Sequence, residues 1–204
     1  QITNVNAQEL RARLAAIVAI PPTEQMVVYG EEVLVGLDKP PVPAAVLVPM
    51  ITRDRPSILL TKRTSHLEHH PGQVSFPGGR IDPDDPHPEA AALREAEEEI
   101  GLHPDEVEII GRMANYVTGS GYNITPVIGL IRPDLEYRPS PEEVETVFEF
   151  PLATLIDPEA PKRQRQHVRG RWREYWVWPH PDHFIWGATA AIMVHLAEKL
   201  RGVQ

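Results

Sequence analysis

Apolar residues recur at helical spacing through Gln8–Ile20 (QELRARLAAIVAI), and the run stops before Pro21-Pro22. Recurrence at three- and four-residue steps predicts a helix with one buried face. Residues 43–50 (PAAVLVPM) and Ser57–Arg63 (SILLTKR) are apolar and of strand length, and they read as neighbouring strands. A shorter strand-like piece, Gln73–Phe76, halts at Pro77-Gly78-Gly79. Pro88–Ile100 reads as a helix: proline suits a first turn, where its missing N–H is not needed, and Gly101 suits the left-handed position that closes the last turn. Val107–Val117 and Ile124–Ile131 read as strands. Val144–Phe150 (VETVFEF) alternates with period two and stops at Pro151. Glu174–Trp178 is a further strand candidate, and Gly187–Leu200 a C-terminal helix. Strands and helices are mixed without regular βαβ alternation. That predicts an α/β (α+β) chain with a mixed sheet packed by helices, in one domain spanning residues 1–204.

Composition narrows the chemistry. With 29 Asp and Glu against 20 Lys and Arg, the formal charge is −9, which argues against a general nucleic-acid binder. An anionic substrate would need a bound cation or a local basic patch to reverse the field. The chain has no cysteine, so disulfides, thiolate catalysis and Cys-ligated zinc are excluded. No signal-peptide pattern and no bilayer-length apolar run is read; together with the missing cysteines this leads to the expectation of a cytoplasmic protein without a membrane partner.

The most charged stretch is FPGGRIDPDDPHPEAAALREAEEEIGL, residues 76–102. On a helix, Glu95, Glu98 and Glu99 fall at i, i+3 and i+4 and share one face, while Leu93, Ala96 and Ile100 point elsewhere. Carboxylates so placed repel one another and raise one another's pKa unless a cation sits among them. Oxygen-only ligands select hard cations, so Mg²⁺ or Mn²⁺ is the natural filling, and such an ion keeps positions free for phosphate oxygens. Arg94 could orient one of the carboxylates, and Gly78-Gly79 lets backbone approach a ligand closely. The plainer alternative is a solvated, glutamate-rich helix face.

The same residues resemble the Nudix box: Gly, five residues, Glu, seven residues, then Arg-Glu-hydrophobic-x-Glu-Glu-x-Gly-hydrophobic. Gly79 begins the match and Arg94 to Leu102 (REAEEEIGL) completes it, over about residues 79–102. The interval from Gly79 to Arg94 is one residue longer than the general box, and Asp84 or Asp85 stands for its first acidic residue. The resemblance implies a Nudix αβα sandwich with a mixed central sheet. It also implies Glu95, Glu98 and Glu99 as metal ligands, with Glu95 alternatively the base that activates water. Arg94 would hold a glutamate, and the activity would be hydrolysis of a nucleoside diphosphate linked to another group.

Upstream, Leu59–Gly79 (LLTKRTSHLEHHPGQVSFPGG) is similar to the LLTxRxxxLxxHxGxxxFPGG signature of coenzyme A diphosphatases, with Glu68 where a basic residue is expected. That resemblance implies cleavage of coenzyme A, or an acyl or oxidised form, to 3′,5′-ADP and a 4′-phosphopantetheine product. Arg63 and Arg80 flank the motif and, with Gly78 and Gly79, are the expected substrate contacts. Lys162–Arg173 holds six Lys or Arg in twelve residues; it reads either as a solvated loop or as a phosphate contact. His66, His69 and His70 lack the further ligands of a zinc site and read as loop residues, with His69 or His70 near the phosphates. Glu143, in Pro141–Glu145, is a candidate additional ligand or catalytic base. Rival readings are a Nudix pyrophosphatase for ADP-ribose, a dinucleotide or a damaged nucleotide, and a Nudix-fold binding module without catalysis. The partner is expected to be a small molecule; whether the chain forms a homodimer stays open.

Overall fold

The computed structural model describes residues 5–18, 39–168 and 170–202. Helix α1 is Ala7–Val18; the expected stop at Pro21-Pro22 and Ile20 lie outside the described residues. Strands β1 (Val42–Ile51), β2 (Ser57–Arg63), β3 (Val74–Ser75) and β4 (Gly78–Arg80) follow, then α2 (Pro88–Ile100). After a 3₁₀ turn at Pro104–Glu106 come β5 (Glu108–Arg112), β6 (Tyr116–Val117), β7 (Tyr122–Ile131), β8 (Val144–Pro151) and the short α3 (Leu152–Leu155). The chain closes with β9 (Lys162–Val168), β10 (Arg171–Trp178), β11 (Ile185–Trp186) and α4 (Gly187–Gly202).

The main sheet runs β3-β2-β1-β7-β5, with β4 and β6 added on β1 and β7 and β8 on the far side of β2. β1 and β7 are parallel over their whole length, whereas every other pair is antiparallel, so the sheet is mixed. Both faces of this sheet are covered, and the strand period of two sorts the side chains between them. Val48 and Met50 of β1, Ile58 and Leu60 of β2, and Ile128 and Leu130 of β7 join a core with α1 and α4. The intervening Ala45, Leu47, Leu59 and Val127 pack with Ala91, Ala92, Ala96 and Ile100 of α2. This is the αβα sandwich expected from the sequence. Among the described residues, no helix is long and apolar enough to cross a membrane.

Helix α2 has the bounds that its end signals predict. The His87 side chain caps its N-terminus by accepting from Ala90 N, Pro88 starts it, and Gly101 closes it at φ 69°. Of the residues turned away from the glutamates, Leu93 is only half-buried, and the buried stripe consists of Ala91, Ala92 and Ala96 with Ile100 and Glu99.

Three strand expectations change. Val107–Val117 is two strands, because a register irregularity at Ile109/Gly111 turns the chain away before β6. Gly78–Arg80, read as a turn, is a strand on β1. The basic stretch is no loop: β9 and β10 form a hairpin that, with β11, makes a separate three-stranded sheet.

Candidate active site

The site begins where the sheet splits. β1 and β2 pair only at Met50↔Ile58 and Ile51↔Ser57, and then diverge. β4 takes the freed edge of β1 and β3 the inner edge of β2, so the chain must cross the gap at Phe76-Pro77. Leu47 N donates to Pro77 O at 2.8 Å and pins the crossing. At Gly78 a Cβ would stand 2.7 Å from Val46 Cα, and at Gly79 2.7 Å from the Glu95 carboxyl carbon. The two glycines are therefore needed for backbone and helix to meet here.

Glu99 fills the gap from the helix side. Its side chain is 7% exposed; Oε2 accepts from Gly78 N at 3.1 Å, and Oε1 lies 4.0 Å from Arg63 Nη1. Arg63 ends β2 at a register irregularity. Its Nε is buried and has no hydrogen-bond partner.

Arg94 is the hub of the adjoining loop. It donates to Asp85 through Nε (3.2 Å) and Nη2 (2.9 Å), to Arg80 O at 3.2 Å, and to Glu95 Oε1 at 2.9 Å. The Asp85 fork settles which of the two expected aspartates meets Arg94, and the Arg94 bond holds the Asp85 carboxyl below its usual range. Asp82 N also donates to Asp85 Oδ2, so one carboxylate fastens both the loop and the arginine.

Burial pushes the Glu95 carboxyl up; Arg94 opposes that shift, while Glu98 and Glu143 add to it. Burial likewise carries Glu99 to about 8, against the Gly78 N–H and with further upward push from Glu95 and Glu143. Carboxyl groups whose pKa is raised by burial and by one another are groups whose ionised form an added cation would favour.

Glu95, Glu99 and Glu143 line one cavity of about 360 Å³, together with Arg63, Gly78, Gly79 and Arg80. Glu98 does not line it. Its carboxylate is 56% exposed and 3.6 Å from Arg94 Nη1, because it sits on the outer side of the helix that buries Glu99. Of the expected 95/98/99 triplet, Glu95 and Glu99 line the cavity, and Glu143, from the loop before β8, lines it beside them. Among the described residues, no three such side chains close into a complete cation cage. The donor chemistry still fits a hard cation that draws its remaining oxygens from substrate and water, because three carboxylates line the cavity and burial raises the pKa of two of them, Glu95 and Glu99.

His69 and His70 line the cavity, and His66 does not. None of the described residues of Lys162–Arg173, read as a solvated loop or a phosphate contact, lines it. Arg163 instead pairs with Glu174 at 2.9 Å and lies 4.9 Å over the Trp176 ring. Sequence reading missed Thr118, Ser120 and Tyr122, which form one end of the cavity. The glycine-spaced run Thr118-Gly119-Ser120-Gly121-Tyr122 was the available signal. Trp186, Ala188 and Ile192 form another wall, so the segment opening α4 serves both core and cavity.

A split mixed sheet whose gap is lined by helix glutamates defines a class of hydrolase, and the comparisons agree. A family model described as NUDIX domain matches residues 41–177. A relative from Enterobacter sp. (strain 638), "Uncharacterized Nudix hydrolase NudL", is 46% identical over 159 residues, covering 76% of this chain and 80% of the relative. Among solved structures, a Nudix hydrolase from M. smegmatis, RenU, superposes with a TM-score of 0.55 at 20% identity, covering 81% of this chain and 89% of that one. A C. elegans Ap4A hydrolase binary complex gives 0.50 at 17% identity, covering 78% and 93%; at these identities both show the fold alone. The chain belongs to the Nudix family. It is a pyrophosphohydrolase of that family, which acts on small molecules with divalent metal ions.

Proposed function

We propose that this pyrophosphohydrolase cleaves coenzyme A, or an acyl or oxidised form of it, to 3′,5′-ADP and the corresponding 4′-phosphopantetheine product, with Mg²⁺ or Mn²⁺ as its metal. The observation that carries the reading is the origin of the cavity wall. Arg63, Leu67, His70, Gln73 and Phe76 all come from the Leu59–Gly79 segment that resembles the coenzyme A diphosphatase signature, and they share the cavity with Glu95 and Glu99.

Glu95, Glu99 and the outer Glu98 would hold the metal. Once bound there, it offsets their charge and polarises the diphosphate oxygens. Arg94, fixed by Asp85, holds the Glu95 carboxylate in orientation. Glu143 is assigned the proton of the attacking water. Its carboxylate makes no ion pair among the described residues, whereas Glu95 is held by Arg94 and Glu99 by Gly78 N–H. The unpartnered Arg63 Nε and the Gly78-Gly79 backbone receive phosphate oxygens. Arg80, 5.9 Å from the Tyr122 ring centroid, serves the phosphorylated ribose end. Water adds to one phosphorus, the bridging P–O bond breaks, and the leaving phosphate takes the proton.

Product analysis by mass spectrometry in ¹⁸O water, with and without Mg²⁺, tests this directly. Release of 3′,5′-ADP with one labelled phosphate is expected only with the metal. Coenzyme A turning over no faster than ADP-ribose or a dinucleotide in the same assay would overturn the substrate assignment.

A further inference from the structure

The cavity lining is chemically mixed. Arg80, Thr118, Ser120 and Tyr122 offer a cation and hydroxyls, with the Arg80 guanidinium 5.9 Å from the Tyr122 ring centroid. Val74, Phe76, Trp186, Ala188 and Ile192 form an apolar arm, interrupted by Gln73, Ser75 and Thr189. The apolar arm is rigidly built, since Thr189 Oγ1 donates to Val74 O at 3.1 Å and ties the first turn of α4 to β3.

That arm also has a continuation outside. Phe184 is 54% exposed, one of three large hydrophobic side chains exposed among the described residues. Its ring stacks on Trp186 with centroids 6.0 Å apart, and Tyr175 meets the same indole edge-on at 5.6 Å. Trp186 is thus shared between the cavity wall and an open aromatic shelf. β11 holds it there, pairing with Val177 and Trp178 of β10.

We infer that Trp186 and Phe184 form a specificity-determining track for the acyl tail of a coenzyme A thioester: the pantetheine arm lies along the apolar wall and the acyl chain leaves over the two stacked rings. The inference rests on the coenzyme A reading and adds which end of the substrate goes where. A 3′-phosphorylated adenosine needs the cation and hydroxyls, and the apolar arm then remains for the thioester. A flat, half-open shelf does not enclose a chain, so it favours longer tails by progressive coverage; full burial of a methylene would be worth about fourfold in kcat/KM, and one-sided cover about twofold.

The test measures kcat/KM for free coenzyme A and for its acetyl, butanoyl, hexanoyl and octanoyl thioesters, in wild type and in Phe184→Ala, Phe184→Leu and Trp186→Ala. Thermal denaturation of each variant serves as the folding control. In wild type the octanoyl form is expected to exceed free coenzyme A by about tenfold. The octanoyl-to-free ratio is expected to fall at least threefold in Phe184→Ala, and further in Trp186→Ala, with Phe184→Leu restoring most of it. Because Phe184 is exposed, a loss through misfolding is not expected there; a ratio unchanged in well-folded Phe184→Ala overturns the track while leaving the coenzyme A assignment standing. A wild-type enzyme that hydrolyses free coenzyme A but shows no dependence on chain length does the same. If no form of coenzyme A is hydrolysed while another nucleoside diphosphate derivative is, the parent assignment fails and the track falls with it.

Discussion

Helix α2 and the β9–β10 hairpin are the two most charged stretches of the chain, and they use charge in opposite ways. Along α2, Glu95, Glu98 and Glu99 are like charges, and the fold worsens their repulsion by burying Glu99 and half-burying Glu95. In the hairpin Arg163 and Arg165 are answered locally. Arg163 pairs with Glu174 and stacks on Trp176; Arg165 lies 3.5 Å from the same glutamate and 5.1 Å over Trp172. These two arginines share Glu174 and lie over Trp176 and Trp172, all within the hairpin's own strands. The helix leaves Glu95 and Glu99 with carboxyls whose ionisation burial disfavours, and that frustration is what a divalent cation would relieve. Charge density in a sequence therefore marks a site only when tertiary packing denies the charges their solvent and their partners.

The largest effect that would break this contrast concerns the buried and exposed glutamates of one helix. Glu99→Gln is expected to lower kcat by roughly 10³-fold, on the scale of losing a main transition-state contact, and exposed Glu98→Gln by roughly tenfold to a hundredfold. Both variants should keep the wild-type circular dichroism spectrum. Equal losses would show that burial does not set the ranking, and full activity of Glu98→Gln would remove it from the metal set.

Next comes the arginine clamp. Asp85→Asn should lower kcat by about tenfold, the scale of a group that orients a ligand through another residue, with KM little changed. Asp85→Glu should recover part of the loss. A change confined to thermal stability would make the Asp85–Arg94 fork purely structural.

The pH dependence of stability sharpens the same point. Glu99 is raised from 4.5 to about 8, so the folded state favours its neutral form. The stability this contributes is fully present below the unfolded value and is lost as pH rises through the folded one. Without metal, Tm should fall by several degrees between about pH 5 and pH 9, and Glu99→Gln should flatten that decline. Mg²⁺ requires the ionised carboxylates, so its stabilisation should grow over the same interval. Calorimetry with and without EDTA reads both; a metal effect independent of pH would contradict the assignment.

The smallest effect is expected in the hairpin. Replacing Arg163 or Arg165 by Ala removes an exposed cation–π contact worth about 0.5–1 kcal/mol, or about 1–4 °C in Tm for a chain of this size. Steady-state kcat/KM should stay within about twofold. A loss of tenfold or more would return the basic stretch to the substrate.

Much of this was legible in advance for local reasons. Pro88 and Gly101 delimit α2 because they act through their own backbone, and β2 has the bounds its apolar run implies. The Glu95–Glu99 spacing pointed to one site because helix geometry brings residues three and four apart together. Less was legible where the partner is distant in sequence. That β4 is a strand depends on the edge of β1 that β2 abandons, and the choice of Asp85 over Asp84 depends on where the loop lands against Arg94.

By itself, then, the sequence determined the αβα class, the acidic helix and its end signals, and the kind of cation its oxygens would hold. Only the tertiary structure decided that Glu143 lines the cavity with Glu95 and Glu99, that Arg163 and Arg165 pair within their own hairpin, and that α4 supplies an apolar wall. The physical reason is that spacing fixes which residues share an element's face, whereas burial and opposing charge are set by elements that meet from far apart in the chain.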